Sequence, residues 1–291
     1  MPAALSAASL TKRFGERVAV DRVSLEVARG DVYGFLGPNG AGKTTTLRML
    51  VGLIRPTAGE VRLLGVPIRE ALPRVGAIVE APAFYGYLSG RDNLRLLADL
   101  TGPCPPARLD AVLDRVGLLD RASDPVRIYS HGMKQRLAIA AALLPGPELV
   151  LLDEPTNGLD PMGIRDVRAL LRSLAADDGI TVFLSSHLLA EVEQVCNRGC
   201  VIVAGRLRWE GEVAGLLAAR RRIRLDAEPH ELAARVVAAQ GARLHDGIVT
   251  PAVDPADLVA ALVAAGARVR QIALETPTLE EVFVEMVEHA A

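Results

Sequence analysis

The residues best suited to chemistry lie in a glycine-rich stretch between two apolar segments. Gly37, Gly42, Lys43 and Thr44 occupy the fixed positions of the pattern G-x-x-x-x-G-K-[ST]. Glycines let the backbone curl so that successive N–H groups face a phosphate, and a helix N-terminus behind them adds positive charge. The stretch therefore predicts a phosphate loop, which comprises Gly37, Pro38, Asn39, Gly40, Ala41, Gly42, Lys43, Thr44 and Thr45.

Three side chains of the phosphate loop have distinct expected roles. Lys43 should reach the β- and γ-phosphates as a point charge. The Thr44 hydroxyl should ligate Mg²⁺, and Thr45 should contact the α-phosphate. The expected cofactors are therefore ATP and Mg²⁺.

Two adjacent carboxylates, Asp153 and Glu154, follow the apolar residues 149–152. A buried parallel strand delivers its carboxyl end to the crevice where open α/β sheets bind ligands. There Asp153 should hold Mg²⁺ through water, and Glu154 should orient and deprotonate the attacking water. An isolated Asp-Glu-Pro would suit a solvated acidic turn equally well. The phosphate loop earlier in the chain favours the catalytic interpretation.

The elements that must position these groups indicate an α/β fold. The short apolar run at residues 31–36 predicts a buried strand before the phosphate loop, and residues 45–51 predict a helix after it. Strand, loop and helix in this order are the context that the phosphate-binding pattern requires.

At this point residues 5–217 resemble the ATP-binding cassette (ABC) family, whose motifs occur here in the family's order. Residues 129–136 stand in place of the signature sequence, usually Leu-Ser-Gly-Gly-Gln. Residues 158–161 resemble the loop that couples the two sites of a dimer. The resemblance implies a P-loop NTPase domain over residues 1–220, with a mixed-sheet core and a helical lobe at about residues 81–145.

The signature segment, residues 129–136, places Ser130 two residues before the small residue Gly132 and ahead of a helical pattern, so Ser130 and Gly132 should form an exposed anion-binding helix N-terminus. In the family, this segment lies on the lobe far from the phosphate loop of the same chain, and so away from the γ-phosphate which that chain binds. The resemblance therefore implies a head-to-tail homodimer, in which the Lys43 loop of one chain and the Ser130 helix of the other hold each ATP.

Two single residues take their expected roles mainly from the resemblance. A lone histidine after a strand is usually structural, but His187 follows the predicted strand at residues 181–186 and resembles the family's switch histidine. It is assigned to the γ-phosphate. Phe14 stands where an aromatic ring usually stacks on adenine, and a plain core role for Phe14 stays equally open.

Glu80 departs from the family pattern, which usually has glutamine after the strand predicted at residues 75–79. It is expected to join Thr44 and Asp153 around Mg²⁺. At about 4 Å and an effective dielectric near 20, its charge is worth on the order of 4 kcal/mol, attractive to Mg²⁺ and repulsive to the γ-phosphate. The net sign stays open, as does a neutral role on a solvated loop. Residues 80–93 resemble the bacitracin-resistance and lantibiotic-immunity branch of ABC exporters.

The signature segment departs from the family as well. His131 and Met133 stand where glycine and glutamine are usual. The His131 side chain must either point away from the expected γ-phosphate or add a contact to it. Neither outcome removes the Ser130 hydroxyl or the Gly132 N–H.

Composition limits the remaining possibilities. The chain has 291 residues, enough for two domains, and half of them are hydrophobic. Its three cysteines predict buried thiols in a reducing cytosol, with Cys196 and Cys200 on one side of a helix, rather than a disulfide framework or a metal site. Neither a signal peptide nor a spanning helix is indicated. A net charge of −2 gives no footprint for nucleic acid.

The tail, residues 221–291, predicts a small accessory domain. Strand candidates at residues 223–225, 242–244, 248–250 and 269–274 alternate with helical runs at 231–239 and 255–265. This β-α-β-β-α-β order is typical of a ferredoxin-like domain. Thr278 and Glu281 form a capping box that begins a last helix. The basic residues Arg220, Arg221, Arg222 and Arg224 favour a solvated strand edge over a lipid contact.

The function implied is an ATPase subunit of a membrane exporter, in which ATP drives a drug, a peptide antibiotic or a lipid-like substrate through a separate permease. Tails of this kind resemble those of daunorubicin-type exporters. A permease helix should dock in a groove beside residues 80–88, so the subunit should be cytoplasmic and peripheral on the inner face of the cell membrane. The alternative is a soluble ABC ATPase that acts on ribosomes or DNA. That class usually has two cassettes or a long coiled coil, and the sequence indicates neither.

Overall fold

The fold is described by a computed structural model covering residues 3–80, 83–101 and 104–288. Contacts between Cα atoms divide the chain into two compact units, Met1–Glu210 and Gly211–Ala291. The division falls ten residues before the predicted boundary between residues 220 and 221, so residues 211–220 group with the tail.

The described part of the first unit contains ten strands, the last of which ends just past the division. They are β1 (Leu5–Phe14), β2 (Arg17–Val27), β3 (Val32–Leu36), β4 (Ala58–Leu63), β5 (Val66–Pro67), β6 (Val75–Ile78), β7 (Leu149–Asp153), β8 (Thr181–Ser186), β9 (Arg198–Val203) and β10 (Arg206–Glu212). Its helices are α1 (Lys43–Leu50), α2 (Ile68–Ala71), α3 (Gly90–Thr101), α4 (Pro106–Arg115), α5 (His131–Leu143), α6 (Pro161–Ala176) and α7 (Leu189–Val195).

A six-stranded sheet in the order β10-β9-β3-β8-β7-β6 positions the predicted site. Within it β9, β3, β8, β7 and β6 run parallel. Each residue of β3 and β8 is buried, as are the first four of β7, which explains their continuous apolar sequences. Because β3, β7 and β8 are neighbours, the residues that follow them meet at one edge of the sheet.

An antiparallel sheet in the order β2-β1-β4-β5 forms the second layer of the first unit. Its inward side chains, including Leu5, Leu10 and Val23, share one buried cluster with Phe35, Leu47 and Leu151. That cluster joins both sheets to α1, the helix behind the phosphate loop.

Three helices, α3, α4 and α5, contact one another in the region predicted as the helical lobe. The helix α3 begins at Gly90 and α4 at Pro106. The start of α4 follows from Pro106, whose fixed φ suits the first turn of a helix.

The second unit has the predicted order of elements. It contains α8 (Val213–Ala218), β11 (Arg222–Glu228), α9 (His230–Ala239), β12 (Arg243–His245), β13 (Ile248–Thr250), α10 (Pro255–Ala264), β14 (Arg268–Glu275) and α11 (Leu279–Glu288). The sheet order is β12-β13-β11-β14, and α9 and α10 contribute Val237, Leu258 and Leu262 to its core. The ferredoxin-like interpretation of this order stays a prediction. The capping box is present, since the Thr278 N–H donates to Glu281 and the Glu281 N–H to Thr278 Oγ1.

Two expectations about local structure are wrong. Cys196 follows α7 and Cys200 lies in β9, so the two cysteines do not share a helix. Both are nevertheless buried and free, and burial raises the pKa of both thiols. The strand that carries Arg222 and Arg224 lies between β13 and β14 rather than at a sheet edge. There Arg222 and Arg224 both pair with Glu275.

Among the described ranges, none of the helices combines the length and apolar character that crossing a membrane requires.

Candidate nucleotide-binding site

The phosphate loop connects the end of β3 to the start of α1, and close backbone contacts explain its glycines. A Cβ atom on Gly37 would lie 2.4 Å from the carbonyl oxygen of Ile202. A Cβ atom on Gly42 would lie 2.6 Å from the carbonyl oxygen of Ala19, and Gly42 also has a φ of +106°. Side chains at these two positions would force the loop out of this conformation.

A cavity of about 420 Å³ opens beside the loop. It brings together residues that are distant in sequence: Arg17, Ala19, Asn39, Gly40, Gly42, Lys43, Thr44, Thr45, Glu154, Asn157 and His187. The cavity combines backbone amides, two cationic side chains and a carboxylate. This combination suits a polyanion whose reaction needs a base.

The Lys43 side chain is 6% exposed. Its Nζ donates to the carbonyl oxygen of Gly37 at 2.8 Å and lies 3.2 Å from Glu154 Oε1. A buried ammonium group is costly unless it is paired. The pair with Glu154 therefore offsets the burial of Lys43 and holds its side chain beside the position predicted for phosphate.

Asp153 is held between two hydroxyl groups. Thr44 Oγ1 donates to Asp153 Oδ2 at 2.8 Å, and Ser185 Oγ donates to Asp153 Oδ1. A hydroxyl and a carboxylate in direct contact supply the hard oxygen ligands that Mg²⁺ prefers. The side chains present therefore fit the predicted metal.

Glu154 and His187 both line the cavity and contact each other there. His187 Nδ1 lies 2.7 Å from Glu154 Oε2. Glu154 has a φ of +48°, and its N–H donates to the Ser185 carbonyl oxygen at 3.2 Å and to Ser185 Oγ at 3.1 Å. Strained residues of this kind cluster at functional sites, where the surrounding structure holds them in place. The Glu154 carboxylate is thus fixed by its backbone, by Lys43 and by His187.

Ser130 and Gly132 lie outside this cavity. Ser130 is exposed at the N-terminus of α5, and its Oγ accepts from the Met133 N–H at 3.2 Å. His131 turns its ring toward another loop, where Nε2 lies 3.2 Å from the carbonyl oxygen of Asn157. The His131 side chain therefore points to its own chain, the first of the two outcomes expected for it.

Phe14 is 53% exposed at the end of β1, so the alternative of a core role is wrong. The Nζ atom of Lys12 lies 5.1 Å from the centroid of its ring. Stacking on adenine stays the prediction for Phe14.

Glu80, the third predicted metal ligand, lies outside the cavity lining, away from the contact between Thr44 and Asp153. Its side chain is 61% exposed and pairs with Arg48 of α1, and its backbone has a φ of +75°. Glu80 instead lines an apolar groove of about 410 Å³. This groove is formed by Val75, Gly76, Ala77, Ile78, Val79, Glu80, Leu97, Leu100, Ala138, Ala141, Ala142, Leu144 and Pro145. The metal role of Glu80 stays a prediction.

Sequence reasoning missed three residues that take part in the site. Ser185 bonds both Asp153 and the Glu154 backbone, while Arg17 and Asn157 line the cavity. Ser185 stands in the Ser-Ser-His motif beside His187, so its pairing with the end of β7 could have been inferred from strand order. Arg17 and Asn157 carry no comparable signal.

Comparisons with known proteins agree with this geometry. Residues 20–157 match the family described as ABC transporter. The chain is 48% identical over 214 residues to the bacitracin transport ATP-binding protein BcrA of Bacillus licheniformis, covering 72% of this chain and 70% of that one. It is 40% identical to the daunorubicin resistance ATP-binding protein DrrA3 of Streptomyces coeruleorubidus, over 94% and 93% of the two chains.

A solved structure gives the same result. The dimeric post-hydrolysis state of the ATP-binding cassette MJ0796, bound to ADP and Pi, aligns with a TM-score of 0.64 and 25% identity, over 72% of this chain and 98% of that one. The predicted fold class, an ABC nucleotide-binding domain with mixed sheets and helices, is confirmed. With the phosphate loop, Glu154 and His187 around one cavity and Asp153 bonded to Thr44 of that loop, the chain belongs to the ABC transporter family as an ATP-binding subunit that hydrolyses ATP.

Proposed function

We propose that this subunit drives export of a drug, peptide antibiotic or lipid-like substrate through a separate transmembrane permease. Support comes from relatives named for bacitracin transport and daunorubicin resistance. The observation that carries the proposal is a cavity that holds Lys43, Glu154 and His187, whereas Ser130, the predicted anion-binding residue of the same unit, lies outside it. In this assignment Met1–Glu210 performs the nucleotide chemistry, and the second unit is an accessory domain.

In the proposed chemistry Lys43 and the phosphate-loop amides bind the phosphates. Thr44 and Asp153 would hold Mg²⁺, which supplies charge neutralisation on phosphate oxygens when bound. Phosphate oxygens compete with Glu154 for Lys43, so the Glu154 carboxylate is released to orient a water and take its proton. His187, hydrogen-bonded to Glu154, holds that carboxylate and faces the γ-phosphate.

The active assembly proposed is a head-to-tail homodimer. Ser130 is exposed and lies outside its own chain's cavity, so its hydroxyl is free to meet a nucleotide held by a second chain. The dimeric state of the cassette MJ0796 supports a two-chain assembly. Phe14, whose ring is exposed, would stack on adenine in each site.

The apolar groove is the proposed docking site for a cytoplasmic helix of the permease, in a helix-in-groove arrangement. Leu100, which lines the groove, is 82% exposed, and Tyr85 and Tyr87, which precede α3, are exposed as well. Exposed apolar side chains suit a partner that covers them. Docking would hold the subunit on the inner face of the cell membrane.

Membrane fractionation tests this function. The subunit should sediment with membranes only in cells that also express the permease encoded beside it, and Leu100→Glu should abolish that sedimentation. The control is Leu53→Glu, the same replacement at a leucine that is 64% exposed outside the groove. Sedimentation that does not depend on the permease, or that survives Leu100→Glu, would contradict docking through the groove.

Replacing Glu80 by glutamine should impair transport more than ATP hydrolysis. Lys43, Thr44 and the loop amides supply most phosphate contacts, so ATP binding should persist. Glutamine still supports an aligned water elsewhere in the family, but it loses the charge that pairs with Arg48 beside the groove. The measurements are the ATPase rate of the isolated subunit and transport by cells that carry subunit and permease, with Glu60→Gln on β4 as control.

Two other results would change the role of Glu80. Loss of hydrolysis with intact ATP affinity would make Glu80 a direct catalytic participant. If neither hydrolysis nor transport changes, Glu80 has no mechanistic role, and its likeness to the bacitracin-resistance branch carries no functional meaning.

A further inference from the structure

His131, which stands in place of a glycine of the family's signature sequence, joins the start of α5 to the loop that follows β7. It is the first residue of α5, directly after Ser130. Its Nε2 lies 3.2 Å from the carbonyl oxygen of Asn157. Because a carbonyl oxygen only accepts, Nε2 carries the proton and donates it.

The fit between His131 and this loop is close. A Cβ atom on Gly158 would lie 3.3 Å from His131 Nε2, and Gly158 has a φ of +74°. A Cβ atom on Gly132 would lie 4.0 Å from Leu159 Cδ2, so the segment after Ser130 also lies near this loop. The imidazole ring thus lies against the backbone of Gly158, where a side chain would crowd the ring.

The loop contacted by His131 belongs to its own chain's site. Asn157 lines the nucleotide cavity together with Glu154. The Asn157 N–H donates to the carbonyl oxygen of Glu154 at 3.1 Å, and the Leu159 N–H donates to that of Thr156 at 3.2 Å. Because Asn157 is bonded to Glu154 within one turn, a displacement of Asn157 also displaces Glu154, the residue proposed to orient the water.

Ser130, on the other side of His131, faces away from that cavity. In the proposed head-to-tail dimer, on which this inference rests, Ser130 meets the nucleotide of the partner chain. We propose that His131 is a positioning residue that couples the two sites, because its hydrogen bond ties the Ser130 helix to the loop between Glu154 and Asp160. Closure of one site then sets the position of Glu154 in the other.

The hydrogen bond itself is tested on the nucleotide-free chain. His131→Leu removes the donor, whereas His131→Gln keeps an amide donor near the position of Nε2. Hydrogen exchange at the amides of Asn157 and Leu159 should be about fivefold faster in His131→Leu, equivalent to about 1 kcal/mol, and close to wild type in His131→Gln. The control is His230→Leu, the same replacement at an exposed histidine of the second unit. Unchanged exchange in His131→Leu would overturn the proposed contact.

The coupling is tested by the ATP dependence of hydrolysis. We expect a Hill coefficient above one for the wild-type dimer and for His131→Gln, and a value close to one for His131→Leu with its KM little changed. A merely structural role would lower kcat or the melting temperature without this change in cooperativity. Overturning results are a wild type without cooperativity, a His131→Leu variant that keeps it, or a His131→Gln variant that behaves like His131→Leu.

The two measurements separate this inference from the proposed function. If the wild-type chain neither dimerises nor hydrolyses ATP, the proposed function fails and the coupling fails with it, while hydrogen exchange still decides whether the contact exists. If the dimer is active and cooperative but His131→Leu has no effect on either measurement, only the role of His131 is refuted.

Discussion

Glu154→Gln should lower ATP turnover by roughly 10²–10⁴-fold, the range that general-base catalysis contributes, while ATP still binds. Glutamine matches the shape of glutamate but cannot accept the proton of the attacking water. The backbone contacts that fix residue 154, from its N–H to Ser185, do not depend on the side chain. The loss should therefore fall on the chemical step rather than on folding.

The same change should cause the nucleotide-bound dimer to accumulate. Glu154 pairs with Lys43, so removing the charge of Glu154 leaves Lys43 with the Gly37 carbonyl oxygen and more available to phosphate. ATP that binds but is not hydrolysed holds the two chains together. Nucleotide affinity and oligomer mass should be measured on the same sample.

A matched control lies at the other end of the strand. Glu148 directly precedes β7 and pairs with Arg29 and Arg74, away from the cavity. Glu148→Gln should retain turnover and leave the protein monomeric after ATP is consumed. Rapid hydrolysis by Glu154→Gln would exclude Glu154 as the base, and equal losses in both variants would point to a general effect on β7.

Much of this site could be predicted from the sequence because its functional side chains lie where buried strands end. The apolar runs that became β3, β7 and β8 are short and continuous, and parallel neighbours deliver their last residues to one edge. Lys43, Asp153, Glu154 and His187 therefore come together once the strand order is known. Each position follows from local sequence and one topological rule.

The contacts that the sequence did not predict are between residues far apart in the chain. Such contacts depend on the direction in which each side chain points. Glu80 pairs with Arg48 across two elements, and His131 reaches Asn157 from a helix N-terminus. In both cases the sequence allowed several orientations of a long side chain, and local packing chose one. The chain divides at Glu210, ten residues before the predicted boundary, and α8, which contacts α11, groups with the second unit.

Mixing two inactive subunits should restore hydrolysis if each site combines Lys43 of one chain with Ser130 of the other. Lys43→Ala removes the cation from its own cavity, and Ser130→Arg places a bulky group at the exposed start of α5. In a mixed dimer one site receives both defects, and the other has a normal Lys43 and a normal Ser130. At equal amounts and random pairing, roughly a quarter of wild-type activity should return, because half the dimers are mixed and each has one intact site.

The decisive comparison is a second mixture whose defects lie in the same half of the site. Lys43→Ala mixed with Glu154→Gln should recover nothing, because Lys43 and Glu154 line one cavity of one chain and every site in the mixed dimer keeps a defect. Recovery in both mixtures would contradict the assignment of Lys43 and Glu154 to one site of one chain. Absence of recovery with Ser130→Arg is open to a second cause, since strictly cooperative sites would leave a single intact site inactive. Counting the nucleotide retained per mixed dimer separates the two. One trapped ATP with no turnover indicates cooperativity, whereas no trapped ATP at any mixing ratio would show that Ser130 does not serve the opposite chain.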